Sequence, residues 1–200
     1  MKNPGAAASV IGMVLNFTLF LIKLYVGISS NSLAVYCDAV NNLGDVFACG
    51  IALAGALLAV RFSERKAART GSLFTFVMNI IVAVSGAYFV YAGAERIFYP
   101  LPVSYSLKYA VLVLATIAVK MIMGVMYYRF NRRSDSELLK TMILDSVLDC
   151  FITISTAASL FLVPLVNFAA DGFFAVAAGA VVTAAAVKNL IDQAKYLIND

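Results

Sequence analysis

The chain has 200 residues, of which 62% are hydrophobic and 13% charged, against roughly a quarter charged in a water-soluble domain. That balance excludes an ordinary soluble fold. The net charge of +4 does not argue for nucleic-acid binding either, because the basic residues stand in short joins beside apolar stretches.

Crossing about 30 Å of hydrocarbon takes roughly 20 apolar residues at 1.5 Å each. The opening Met1-Lys2-Asn3-Pro4 leads into the first such stretch, Ala6 to Ser29, which contains Lys23 and is too long for the apolar core of a cleaved signal peptide. Ser29-Ser30-Asn31-Ser32 breaks the pattern. The second stretch, Leu33 to Val60, carries Asp38, Asn41 and Asp45. The third, Leu73 to Tyr99, closes on Glu95-Arg96 and is followed by Pro100-Leu101-Pro102. The fourth, Ser106 to Phe130, holds Lys120; the fifth, Leu138 to Val163, holds Asp145 and Asp149 and ends at Pro164. The sixth, Val166 to Val187, holds Asp171, and residues 188–195 read as an amphipathic exit helix. Cys37, Cys49 and Cys150 fall inside these stretches, at spacings that match neither a disulfide framework nor a structural zinc site.

The expected architecture is an all-α membrane protein, a bundle of six transmembrane helices with antiparallel neighbours. Residues 1–187 are expected to form the six-helix transmembrane domain and 188–200 a cytoplasmic exit helix or tail, with no C-terminal cytoplasmic domain expected after it. Lys2, Arg61, Arg65, Lys66, Arg69, Arg129, Arg132, Arg133, Lys140, Lys188 and Lys195 gather on one side, against Arg96 and Lys108 on the other. Cytoplasmic loops hold the basic excess, so both termini are expected in the cytoplasm and the protein in the cell membrane.

A charged carboxylate near the centre of a membrane helix costs at least about 2.5 to 3.5 kcal/mol and normally faces a bundle interior or an aqueous cavity. Five aspartates lie within the spans: Asp38, Asp45, Asp145, Asp149 and Asp171. Asn41 and Asp45, like Asp145 and Asp149, are four residues apart and share a helix face. Helical rise puts Asn41 roughly 17 Å and Asp45 roughly 12 Å above the cytoplasmic edge, with Asp145 at roughly 11 Å and Asp149 at roughly 17 Å. Antiparallel second and fifth helices therefore bring Asn41 level with Asp149 and Asp45 level with Asp145. Three carboxylates at such close quarters repel unless a cation or protons intervene, and a divalent metal answers that demand. Lys23, Asp38 and Asp171 fall in the outer third, where a salt-bridged cluster would lock that half of the bundle. Asp38, on the face of Asn41 and Asp45, is the accessory candidate closest to the site. Lys120 lies nearer the cytoplasmic edge, placed either to snorkel there or to compete as an internal cation.

At this point Ser32-Leu33-Ala34-Val35-Tyr36-Cys37-Asp38-Ala39-Val40-Asn41-Asn42-Leu43-Gly44-Asp45 resembles the second-helix signature of the cation diffusion facilitators, six-span exporters of divalent transition metals. Leu144-Asp145-Ser146-Val147-Leu148-Asp149 resembles its fifth-helix partner. The resemblance implies a transport site at Asn41, Asp45, Asp145 and Asp149, with Asp38, Asp171 and Lys23 as possible accessories. It also implies alternating access, protons as the counter-ion and a homodimer. Zinc members typically carry His in this site, and the chain has none; Asn with three Asp resembles the manganese-associated subgroup. An all-oxygen site suits manganese(II), while iron, zinc, cobalt and cadmium are alternative cargoes and Cys49 and Cys150 are potential soft ligands. The metal is cargo; no resident cofactor is expected.

Two readings of another class compete: a membrane enzyme holding magnesium on an Asp cluster, and a structural membrane protein. The D-G-x-x-A-R opening of one lipid phosphotransferase motif fails at Asp171-Gly172-Phe173-Phe174-Ala175-Val176, and no enzymatic activity is expected.

Overall fold

The computed structural model describes residues 4–61, 64–134, 137–162, 165 and 169–199; the side chains at 4, 5, 55–61, 64–71, 133, 134, 137, 138, 141, 196, 197 and 199 are left aside. Among the described residues there are six helices: α1 (Pro4–Ser30), α2 (Leu33–Arg61), α3 (Glu64–Phe98), α4 (Leu107–Ser134), α5 (Glu137–Leu162) and α6 (Ala169–Asn199). Two boundaries move from expectation. Helix α3 starts nine residues before Leu73, and α6 runs unbroken through 188–195, so the exit segment continues α6 and is no separate element. The expected start of the sixth span at Val166, the break at Pro164 and the basic side chains of Lys2, Arg61, Arg65, Lys66, Arg69 and Arg133 lie outside the description.

Five helices are long and apolar enough to cross a membrane; among the described residues α2 is not. Asp38, Asn41, Asn42 and Asp45 all fall within the part of α2 whose side chains are described, and polar groups at membrane depth are held there by neighbouring helices. Helix α2 lies against α1, α3, α5 and α6.

Around an apolar interior that includes Leu19, Val26, Val113 and Leu160, the bundle exposes large apolar side chains and buries polar ones. On α1, Val10, Val14, Phe17, Leu21, Tyr25 and Ile28 are exposed, while Asn16, Lys23 and Ser30 are buried. On α5, Leu144, Phe151 and Ile154 are exposed, and Ser146, Asp149, Thr153, Thr156 and Ser159 are buried. Hydrocarbon outside accepts the apolar face, and polar groups turn inward to find partners.

Helix α1 lies against α2, α4 and α5, helix α5 also lies against α2 and α4, and α3 and α6 form a closely packed pair beside α2. That pair meets backbone to backbone. A Cβ added at Gly172 would lie 2.7 Å from the Gly93 carbonyl oxygen, and one added at Gly179 would lie 2.8 Å from that of Gly86. Small residues permit this approach where no hydrophobic effect drives helices together.

The α1–α2 turn is tied by chemistry that the polar break only hints at. Asn31 adopts φ 57°, a left-handed conformation that asparagine tolerates better than most residues. The Asn31 N–H donates to the Ile28 carbonyl at 3.2 Å and the Ser32 N–H to that of Gly27 at 3.0 Å, closing α1 as a Schellman motif. Ser32 then caps α2, its Oγ accepting the Val35 N–H at 3.3 Å.

Candidate functional site

Two ionic clusters occupy the half of the bundle that includes this turn. Lys23 Nζ donates to Asp38 Oδ1 at 2.8 Å and to Thr153 Oγ1 at 2.7 Å, and Thr156 Oγ1 donates to Asp38 Oδ2 at 3.1 Å. Lys23 and Asp38 are both fully buried. In the second cluster Asp171, on α6, caps α2 from outside. Its carboxylate accepts the Leu33 N–H at 2.8 Å and the Ser32 hydroxyl at 2.6 Å, placing an anion where the helix N-terminus favours one. Arg96 balances the charge at 2.7 Å and also donates to the Asn31 carbonyl at 2.6 Å. Lys23, Asp38 and Asp171 therefore belong to two clusters and not to one, and both oxygens of Asp38 are engaged away from Asn41 and Asp45.

The carboxylates of the middle layer are arranged around a cation that the protein supplies itself. Lys120, on α4, is 2% exposed; its ammonium donates to Asp45 Oδ2 at 2.9 Å and to Asp149 Oδ2. Asn41 Nδ2 donates to the other oxygen, Asp149 Oδ1, at 2.6 Å. Asn41 and Asp149 thus meet across α2 and α5 at the level their helical rise predicts. Of the two sequence-based placements for Lys120, the structure has the internal cation. Helix α4 does not adjoin α2, so the long side chain spans the gap.

Asp145 departs from expectation. It is exposed and does not complete a cluster with Asp45 and Asp149; among the described residues no group of three His, Cys, Asp or Glu is poised to hold a metal. An ammonium between the two inner carboxylates relieves their repulsion, and the third faces the pocket mouth, where its charge needs no protein partner.

That pocket, about 160 Å³, lies between α2, α5 and the α3–α6 pair. Asn41 and Asp149 stand at one end of it; its lining then descends each helix in the same direction, to Ile51 on α2, Thr75 on α3, Asp145 on α5 and Asn189 on α6. It therefore leads from the middle layer toward the end of the bundle where α1 begins and α6 finishes, and the opposite end holds the two ionic clusters. A second pocket, about 100 Å³, lies behind Lys120 and is lined by Asn16, Cys49, Tyr127, Asp45 and Asp145 among others.

Sequence reasoning passed over Arg96, Asn16, Tyr127, Thr153 and Thr156. A signal existed for the threonines: Asp149, Thr153 and Thr156 step by four and three along α5, the spacing of one helix face. Arg96 reads as a charge on the outer side and as part of the Glu95-Arg96 close of the third span, and nothing in the sequence couples it to Asp171.

A helical membrane bundle with buried carboxylates around a cation, reached by a pocket from one end, is the framework of an ion transporter. The family model for the cation efflux transmembrane domain matches residues 9–198, and the chain belongs to that family, the cation diffusion facilitators. It is accordingly an integral, multi-pass membrane protein of a transporter family, not an enzyme family, and its substrate is a divalent metal cation. No curated protein matches the chain.

Proposed function

We propose that the protein exports a divalent metal, manganese(II) first, by alternating access with proton antiport, and that Asn41, Asp45, Asp145 and Asp149 carry the ion. The observation that carries this reading is the shared ammonium. Asp45 and Asp149 hold one cation between them at the end of a pocket that Asp145 also lines, so a metal ion entering the pocket finds carboxylates already positioned for positive charge. Oxygen donors without imidazole favour harder ions, and water would complete the coordination of a six-ligand ion. With both termini in the cytoplasm, the pocket opens on the side where an exporter loads. Clustered carboxylates bind protons as a coupled set, which provides for exchange of metal against protons. Homodimerisation is part of the proposal and rests on the family resemblance.

Purified protein in liposomes tests the proposal, with manganese, zinc, iron, cobalt and cadmium uptake measured with and without a pH gradient. Manganese flux should exceed the others, respond to the gradient and fall at least tenfold on Asp45→Ala with Asp149→Ala. No flux above that double variant would refute the site, and flux indifferent to the gradient would replace antiport with a channel. Light scattering of the detergent-solubilised protein reads the oligomeric state.

A further inference from the structure

Lys120 presents three N–H donors, and the two bonds to Asp45 and Asp149 leave capacity for another. On its far side the second pocket offers further acceptors. Among the described residues, Asn16 Oδ1 and the Tyr127 hydroxyl have no hydrogen-bond partner, in residues only 3% and 2% exposed. Buried polar groups are rarely left so. Gly12 makes the room: a Cβ there would collide with the Tyr127 hydroxyl and lie 3.0 Å from Cys49 Sγ. Asp145 lines this pocket as well as the first, so a positive charge that moved into it would still face a carboxylate.

We propose that Lys120 is a tethered counter-cation: its ammonium holds Asp45 and Asp149 together while the site is empty of metal, and withdraws toward Asn16 and Tyr127 when metal takes its place. The proposal rests on the reading of Asp45 and Asp149 as the metal site, and adds to it the partner that occupies the site between loads. Two consequences follow. Metal must displace a resident charge, so binding is weaker than the carboxylates alone would give. In the metal-free site the ammonium offsets one of the two carboxylate charges and a proton taken in exchange for metal offsets the other, so the bundle can change its facing without metal.

The test compares wild type with Lys120→Met in three measurements: manganese binding in detergent, net manganese transport into vesicles, and exchange of labelled for unlabelled manganese at equal concentrations across the membrane. Loss of the competing ammonium should tighten manganese binding about tenfold. Net transport, which includes the return of the empty carrier, should fall at least tenfold, while exchange, which does not, should stay within about threefold of wild type. Tyr127→Phe with Asn16→Leu retains Lys120 and removes its retreat; this variant should bind manganese several-fold more weakly, and it keeps the proposal open to test where Lys120→Met fails to fold.

Equal losses of net transport and exchange in Lys120→Met, or unchanged manganese affinity in both variants, would overturn the counter-cation and leave Lys120 a structural strut. Absence of binding of manganese, zinc, iron, cobalt and cadmium alike by wild type is a different result. It would remove the metal-site reading itself, and this proposal with it.

Discussion

At the scale of single residues, the middle layer and the outer layer use the same chemistry to different ends. Lys23 and Asp38 are fully buried, and Asp38 is further bonded by Thr156; Asp45 is half-buried at the head of a pocket. Removing one partner of a buried pair strands the other charge and costs about 3–5 kcal/mol. Asp38→Asn should therefore lower thermal stability in detergent by about that much, measured by unfolding with and without manganese, while the stabilisation that manganese confers is retained. A loss of the manganese effect would make Asp38 part of the metal site. The sequence displayed all five aspartates and the depth match of Asn41 with Asp149. It did not separate Asp45 from Asp145, because helical rise measures height along a helix and not the azimuth at which a neighbour from α4 intervenes. Asn16 and Tyr127 were illegible for a related reason: a polar residue in an apolar run has a meaning only once its neighbours on other helices are known.

At the scale of elements, apolar length was enough to find all six helices, α2 included, although it carries Asp38, Asn41, Asn42 and Asp45. The ends of α3 and α6 extend past the expected spans because helix propagation does not stop at the hydrocarbon edge; charged residues such as Lys188 continue a helix as well in water as apolar ones do in lipid. The close approach of α3 to α6 was visible only as an abundance of small residues. Its contact geometry makes a sharper claim: Gly172→Val would drive a side chain into the Gly93 carbonyl and Ile97, and overpacking of this kind costs about 1–3 kcal/mol. The melting temperature of the purified variant should fall, and the drop should exceed that of Gly44→Val, where an added Cβ meets only a Val82 methyl at 3.4 Å.

For the whole molecule, the two ionic clusters tie one end of the bundle, and the pocket at Asn41 and Asp149 leads toward the other. A background with Cys37, Cys49 and Cys150 replaced by alanine allows this to be read by chemical labelling. Asn189→Cys, on the pocket lining, should react with a membrane-impermeant thiol reagent from the side bearing the start of α1, and manganese should slow that reaction. Ser104→Cys, in the exposed α3–α4 connection, should react from the opposite side. Labelling of both positions from one side would contradict the antiparallel arrangement of the helices.

The glycine-lined seam between α3 and α6 has a mechanical consequence. Two helices in backbone contact resist sliding past one another, so the seam couples any tilt of α3 to α6. Both helices wall the pocket that ends at Asn41 and Asp149, and a shared tilt would change its width on two sides at once. Asn41, Asp45, Asp149 and Lys120 stand on α2, α4 and α5, outside the seam, so a stiff pair would bear on access to the site before it bears on the side chains within it.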